Sequence, residues 1–156
     1  MSDRAEALAR KFEAANAEFI NAVEAFSDSQ WNAKCVGETW SVGVTAHHVA
    51  GSSGGLAGLI QTCAAGQWPG MSFAVVNEGN AAHATEFAGC TRAQALELAR
   101  SGGATAAATV RGLSDAQLDS RGVAVIELGE IGLQQLVEGV LTGHIVGHLA
   151  SMRAAV

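Results

Sequence analysis

Apolar residues near the start of the chain recur at steps of three or four, which predicts a long amphipathic helix. The stripe comprises Leu8, Phe12, Ala15, Phe19, Val23 and Phe26. Charged residues occupy most of the opposite side, so we predict a helix from Asp3 to Phe26. Residues 27–38 contain turn-forming residues without a sustained period and are predicted to form a connector.

A second helix is predicted to begin near Trp40 and Ser41 and to end near Gly66, with Thr39 or Ser41 as its N-cap. The run from Gly51 to Gly58 is unusual in a helix, because each glycine costs about 1 kcal/mol relative to alanine. It indicates either a break or a continuous helix whose missing side chains let a neighbouring helix or a ligand approach closely. We favour the continuous helix, since helix-forming residues resume directly after the run.

Three further helices complete the pattern. Thr91 and Gln94 have the spacing of a capping box, and Ser114 and Gln117 repeat it before a short turn. Helices three, four and five are predicted over residues 73–87, 91–113 and 130–154. Residues 119–129 are predicted to form a connection that is extended or coiled.

Four long helices, a shorter one and the lack of a strong strand pattern predict an all-α four-helix bundle. The 156 residues fit a single domain, 1–156. Hydrophobic residues make up 49% of the chain and charged residues 15%, which is below the usual charged share of about 25%. Such an apolar composition favours a homodimer.

Charge and cysteine content exclude several classes of protein. The formal net charge is −6, and the nine Lys and Arg residues are dispersed, so the basic stripe of a nucleic-acid-binding protein is missing. Three cysteines without a C-x-x-C motif do not form a disulfide framework and favour a reducing, cytoplasmic setting. We find no secretory signal and no apolar run of about 18 residues that would span a membrane.

Three histidines carry the candidate chemistry. His144 and His148 form an H-x-x-x-H pair in an apolar segment, so on a helix they lie one turn apart on one face. His48, from a second apolar helix, would complete a three-nitrogen metal site with an open position. Such a site suits catalysis, because structural zinc usually has four protein ligands. His47 is the alternative to His48 as the third ligand. Neighbours on a helix point about 100° apart, so the two are not both expected to bind the ion. We favour His48, whose adjacent turns carry small residues.

Three imidazole ligands do not by themselves determine which divalent ion binds. We expect zinc or nickel first, and iron, cobalt and manganese accept the same ligands. Asn80 and His83 share a face of helix three and are candidate substrate contacts or hydrogen-bond partners of the ligands. Arg153 is a third candidate for substrate binding, at the mouth of the pocket. The alternative interpretation of these residues is a solvent-exposed polar face, and no catalytic residue beyond the metal ligands is identified.

Three segments together resemble a known family. They are W-S-V at residues 40–42 with A-H-H-V at 46–49, N-E-G-N-A-A-H-A at 77–84 followed by T-R-A-Q-A-L at 91–96, and H-I-V-G-H-L-A at 144–150. Their order and spacing are similar to the DinB-like superfamily, which includes the N-terminal domain of mycothiol-dependent maleylpyruvate isomerases. The resemblance implies an up-down-down-up bundle, often dimeric, with a divalent metal on His48, His144 and His148. It also implies thiol-dependent isomerisation, S-transfer or hydrolysis.

Three functional hypotheses follow. The first is a metal-dependent enzyme whose ion activates water or a low-molecular-weight thiol toward a small electrophilic substrate. The second is a non-enzymatic helical dimer that binds a metal or a small ligand, for example in a stress response. The third is that the histidines only pack and form hydrogen bonds.

Overall fold

A computed structural model describes residues 2–156 and confirms an all-α bundle. Within these residues the helices are α1 (Asp3–Ala25), α2 (Asp28–Trp31), α3 (Val42–Ala64), α4 (Phe73–Glu86), α5 (Arg92–Arg111), α6 (Asp115–Leu118), α7 (Leu133–Gln135) and α8 (Gly143–Ala154). A π-helical segment, Leu136–Thr142, joins α7 to α8. A short antiparallel pair, β1 (Arg121–Gly122) and β2 (Ile131–Gly132), flanks a 3₁₀ turn at Ile126–Leu128. None of the helices in this range combines the length and hydrophobicity that a membrane span requires.

Helices α1 and α5 run in opposite directions. Arg111, the last residue of α5, pairs with Glu6 near the start of α1. Arg100, about midway along α5, pairs with Glu24 near the end of α1. Residue numbers therefore rise along one helix as they fall along the other.

Helices α3 and α5 run in the same direction, and so do α1 and α8. Gln61 Nε2 of α3 donates to Thr109 Oγ1 near the end of α5 at 3.2 Å, while Gly102 packs farther back against Ala50 of α3. Lys11 of α1 lies near Glu138, just before α8, and Glu18 pairs with Arg153 near the end of α8. In chain order α1, α3, α5 and α8 thus run up, down, down and up, as the family resemblance implied.

The apolar stripe of α1 enters the core as predicted. Phe12, Phe19 and Val23 are fully buried there. The other helices and the π-helical segment supply most of the remaining large core residues, including Ile60, Leu136, Leu141, Ile145 and Met152. Burial of these side chains provides the main favourable contribution to folding.

Helix α3 continues through the glycine run, as predicted, and the hydroxyl of Ser41 caps its start. The close helix contact, however, depends on α5. A Cβ on Gly102 would lie 3.3 Å from the carbonyl oxygen of Ala50, whereas a Cβ on Gly51 or Gly55 would meet no atom within 4 Å. The glycines of the run from Gly51 to Gly58 therefore face open space, and the absent side chain that matters for α3–α5 packing is that of Gly102.

Two segments differ from the sequence-based prediction. The connector contains the short helix α2, which Ser27 and Gln30 cap reciprocally. The fifth helix begins at Leu133 rather than near Glu130 and changes to π-helical geometry before α8.

Helix α4 lies outside the bundle, against α3, and none of residues 73–86 is buried. Its start is held by the segment that precedes β2. Met71 forms a bridge with Val125, and the Phe73 backbone N–H donates to Glu127 Oε2 at 2.9 Å. The helix therefore covers one side of α3 without contributing to the core.

Candidate metal centre

The structure brings His48, His144 and His148 together between α3 and α8. One ring nitrogen from each lies within 4.8 Å of the others. The Nε2 atoms of His48 and His144 are 3.0 Å apart, and the ring centroids of His144 and His148 are 4.6 Å apart. The one-turn spacing on α8 and the antiparallel approach of α3 produce this cluster.

Burial keeps two of the three imidazoles neutral. Burial, together with the nearby rings of His144 and His148, lowers the pKa of His48 to about 3. Burial and the neighbouring His148 lower the pKa of His144 to about 4. Neutral imidazole is the form that ligates metals, so both rings are ready to bind without losing a proton.

Glu38 is a site residue that the sequence analysis missed. Its Oε1 lies 2.7 Å from Nδ1 of His148, and its Oε2 accepts from the Thr45 hydroxyl at 3.4 Å. An Nδ1–H donated to Glu38 leaves the Nε2 lone pair of His148 free for the cluster. Glu38 lies in the irregular connector, 110 residues from His148, and the only sequence clue was its position just before Trp40.

His47 turns away from the cluster. Its Nδ1 lies 2.8 Å from Nε2 of His83, and its ring stacks on Phe87 with 4.1 Å between centroids. Burial lowers the pKa of His47, as does the neighbouring His83, and burial also lowers the pKa of His83. The pair joins α3 to the end of α4, so His48 is the neighbour that faces α8.

A cavity of about 460 Å³ opens beside the three histidines. Most of its surface is apolar, and α3, α4, the segment after β1 and the π-helical segment supply the walls. The lining residues are Trp40, His48, Ser52, Leu56, Leu59, Met71, Phe73, Val76, Asn80, Val125, Leu128, Gly139, Val140, Gly143, His144 and His148. A pocket of this size and composition is typical of a small-molecule site.

The sequence profile of the DinB superfamily matches residues 11–152. The match covers all four bundle helices except the ends of α1 and α8. The chain belongs to the DinB superfamily. No curated protein and no solved structure showed a significant match to it.

The three predicted substrate contacts of this DinB-superfamily chain lie in different places relative to the cavity. Asn80 lines the cavity. His83 does not line it but bonds to His47, with its ring centroid 5.6 Å from that of His48. Arg153 lies on the exterior, where Nη1 donates to Glu18 Oε1 at 2.6 Å. Five helical residues after His148 correspond to a rotation of about 140°, which carries Arg153 away from the cavity.

The residues present in this DinB-superfamily site fit a divalent metal. Three imidazole nitrogens converge, Glu38 provides the carboxylate acceptor that ligating histidines usually have, and the cavity leaves one side of the cluster open. Zinc, nickel, iron, cobalt and manganese all accept such nitrogen ligands. The arrangement can therefore hold an ion and expose it to a small molecule.

Proposed function

We propose that this protein is a metal-dependent enzyme in which His48, His144 and His148 hold a divalent ion. The observation that carries the proposal is the convergence of three histidine nitrogens beside a cavity large enough for a small substrate. A structural site would instead close the coordination shell with a fourth protein ligand. The proposed reaction is transfer, isomerisation or hydrolysis of a small electrophilic substrate.

When bound, the ion would supply Lewis-acid chemistry and lower the pKa of a water or a low-molecular-weight thiol. The resemblance to thiol-using isomerases and transferases supports the thiol. Glu38 accepts a hydrogen bond from the Nδ1–H of His148 and fixes the orientation of that ring. The mainly apolar walls lower the polarity around the ion, which strengthens electrostatic interactions inside the site.

Metal analysis tests this proposal. The wild-type chain, purified without a metal-affinity tag, is expected to hold about one divalent ion per chain. His48→Ala, His144→Ala and His148→Ala should each lose it, whereas His47→Ala is the matched control and should retain it. A wild-type protein that binds no metal even after reconstitution would contradict the proposal and leave histidines that serve packing alone.

Activity is tested next, with the metal-loaded protein and combinations of thiols and neutral electrophiles. We expect turnover that disappears in the three ligand variants and persists in His47→Ala. Metal binding without any turnover would instead favour the second hypothesis, a module that binds a metal or a small ligand.

The homodimer expected from the apolar composition stays a prediction. Sedimentation analysis of the purified chain checks it, and a monomer at micromolar concentration would contradict it.

A further inference from the structure

We propose that the substrate is a mainly hydrocarbon molecule that carries no charge away from its reacting centre and only a few, neutral hydrogen-bonding groups there. This inference rests on the proposed function, because it names the class of substrate for the same cavity. Among residues 2–156, no Lys, Arg, Asp or Glu lines that cavity. The walls therefore offer no charged partner to a substrate.

The walls are built from side chains that suit hydrocarbon. Leu56 and Leu59 come from α3, Phe73 and Val76 from α4, and Val140 from the π-helical segment. Apolar ligand surface placed against such walls is removed from water, which favours binding. A substrate with several polar substituents would forfeit that gain and lose its own hydration.

Apart from the histidines, the polar side chains among the described lining residues are all neutral, and they are Trp40, Ser52 and Asn80. The hydroxyl of Ser52 donates to the backbone carbonyl of His48 at 2.7 Å, so toward a ligand it can only accept. The amide of Asn80 makes no side-chain hydrogen bond with any residue from 2 to 156 and lines the cavity. It can donate to a carbonyl or accept from a hydroxyl, and the indole N–H of Trp40 can donate, so the cavity suits a few neutral polar groups.

Charges around the cavity disfavour an anion. Glu38 lies behind His148, Glu127 caps the start of α4 beside Phe73, and the whole chain carries a net charge of −6. Away from the metal position, a substrate carboxylate would lose its hydration without gaining a cationic side chain as a partner. Only the reacting end of a substrate would meet the ion, so an anionic group elsewhere on the molecule would remain without a cationic partner.

A matched pair of probes tests this class. 2-Heptanone and heptanoate have the same number of carbons and differ in charge, and their affinities are measured by NMR chemical-shift titration. Chelator-treated protein gives the deciding comparison, because heptanoate can ligate a metal, and zinc-loaded protein is measured in parallel. We expect chelator-treated protein to bind 2-heptanone at least about tenfold more tightly than heptanoate. Equal or tighter binding of heptanoate would overturn the proposal.

Two pairs of variants locate the binding. Val76→Lys places a cation in the cavity and should shift the affinity ratio toward heptanoate. The adjacent Val75 is exposed and lies outside the lining, so Val75→Lys should keep the wild-type ratio. Gly139→Leu should weaken both probes by filling the cavity, and Gly147→Leu, in the adjoining helix but outside the lining, should not. An unchanged ratio in Val76→Lys, with the fold intact by circular dichroism, would show that the selectivity arises elsewhere and overturn the proposal.

Failure of this inference is distinguishable from failure of the proposed function. If the wild-type protein binds no metal but still prefers 2-heptanone, the enzymatic role is wrong and an apolar binding cavity remains. If the metal-loaded protein is active but its chelator-treated form prefers heptanoate, the proposed substrate class is wrong and the enzymatic role stands.

Discussion

Glu38 fixes the orientation of one imidazole ring in the three-histidine cluster. Its two oxygens contact different residues, since Oε1 meets Nδ1 of His148 at 2.7 Å and Oε2 accepts from Thr45 at 3.4 Å. Thr45 belongs to the first turn of α3, the helix that also carries His48. The carboxylate therefore ties the orientation of a ring on α8 to the helix that faces it.

Removal of this carboxylate should weaken metal binding without unfolding the chain. We expect Glu38→Ala to lower zinc affinity by about 10–100-fold, because the outer partner of a ligating histidine fixes its ring and tautomer. Glu38→Gln keeps a neutral acceptor and should recover part of the loss. Competition with a chromophoric chelator measures the affinity.

The control is Glu130→Ala, which removes an exposed carboxylate that pairs with Arg121. It should bind zinc as tightly as the wild type. If Glu38→Ala does so too, Glu38 has no positioning role.

Local sequence chemistry specifies most helix starts, and its limits are visible in two elements. The capping boxes at Thr91 and Ser114 were predicted and are present. Ser27 and Gln30 show the same spacing and start α2, yet the surrounding turn-forming residues concealed a single helical turn. The π-helical segment was not predicted, since over seven residues the apolar period does not distinguish it from an α-helix.

The start of α3 depends on a glycine that admits an aromatic ring. A Cβ on Gly43 would lie 2.6 Å from two atoms of the Trp31 indole. Trp31 belongs to α2 and is largely buried, so it has little room to move. The packing of α2 on α3, and with it the course of the connector that carries Glu38, relies on this missing side chain.

Substitution of this glycine should destabilise the protein. We expect Gly43→Ala to reduce the free energy of unfolding by about 1–3 kcal/mol, the usual cost of overpacking a filled site. Gly147→Ala is the matched control, because a Cβ there meets no atom within 4 Å, and the higher helix propensity of alanine should stabilise it by up to about 1 kcal/mol. Urea denaturation measures both, and equal effects of the two variants would refute the packing argument.

At the scale of the whole molecule, regular features were predictable and contacts between distant segments were not. The spacing of His144 and His148 within one helix predicted their common face, and the helical character of residues 40–66 predicted the position of His48. The contact of Glu38 with His148 and the outward position of Arg153 depend on how the helices dock. No local pattern encodes that docking, because it results from burial summed over the entire core.

One such long-range contact is the brace between α1 and α5. Arg111 donates from Nε to Glu6, and from Nη1 and Nη2 to the two oxygens of Glu13 at 3.0 and 2.9 Å. Hydrogen bonds from Arg111 and then Arg10 hold the pKa of Glu6 below its ordinary value of 4.5. Because the folded chain favours the ionised carboxylate, folding is stabilised by this contact at neutral pH.

The brace should give the protein a distinct acid sensitivity. The stabilisation by Glu6 is complete above the unfolded pKa and is lost as the pH falls through the lower folded pKa, so the wild type should lose stability progressively below about pH 4.5. Arg111→Met should reduce stability at neutral pH and flatten this acid-side slope, and Glu6→Gln should flatten it similarly. Denaturant titrations across the acid range measure the slopes. Raised salt should shrink the difference between wild type and variants, since the groups are partly exposed and therefore partly screened. Wild-type slopes in both variants would mean that the acid sensitivity originates outside this brace.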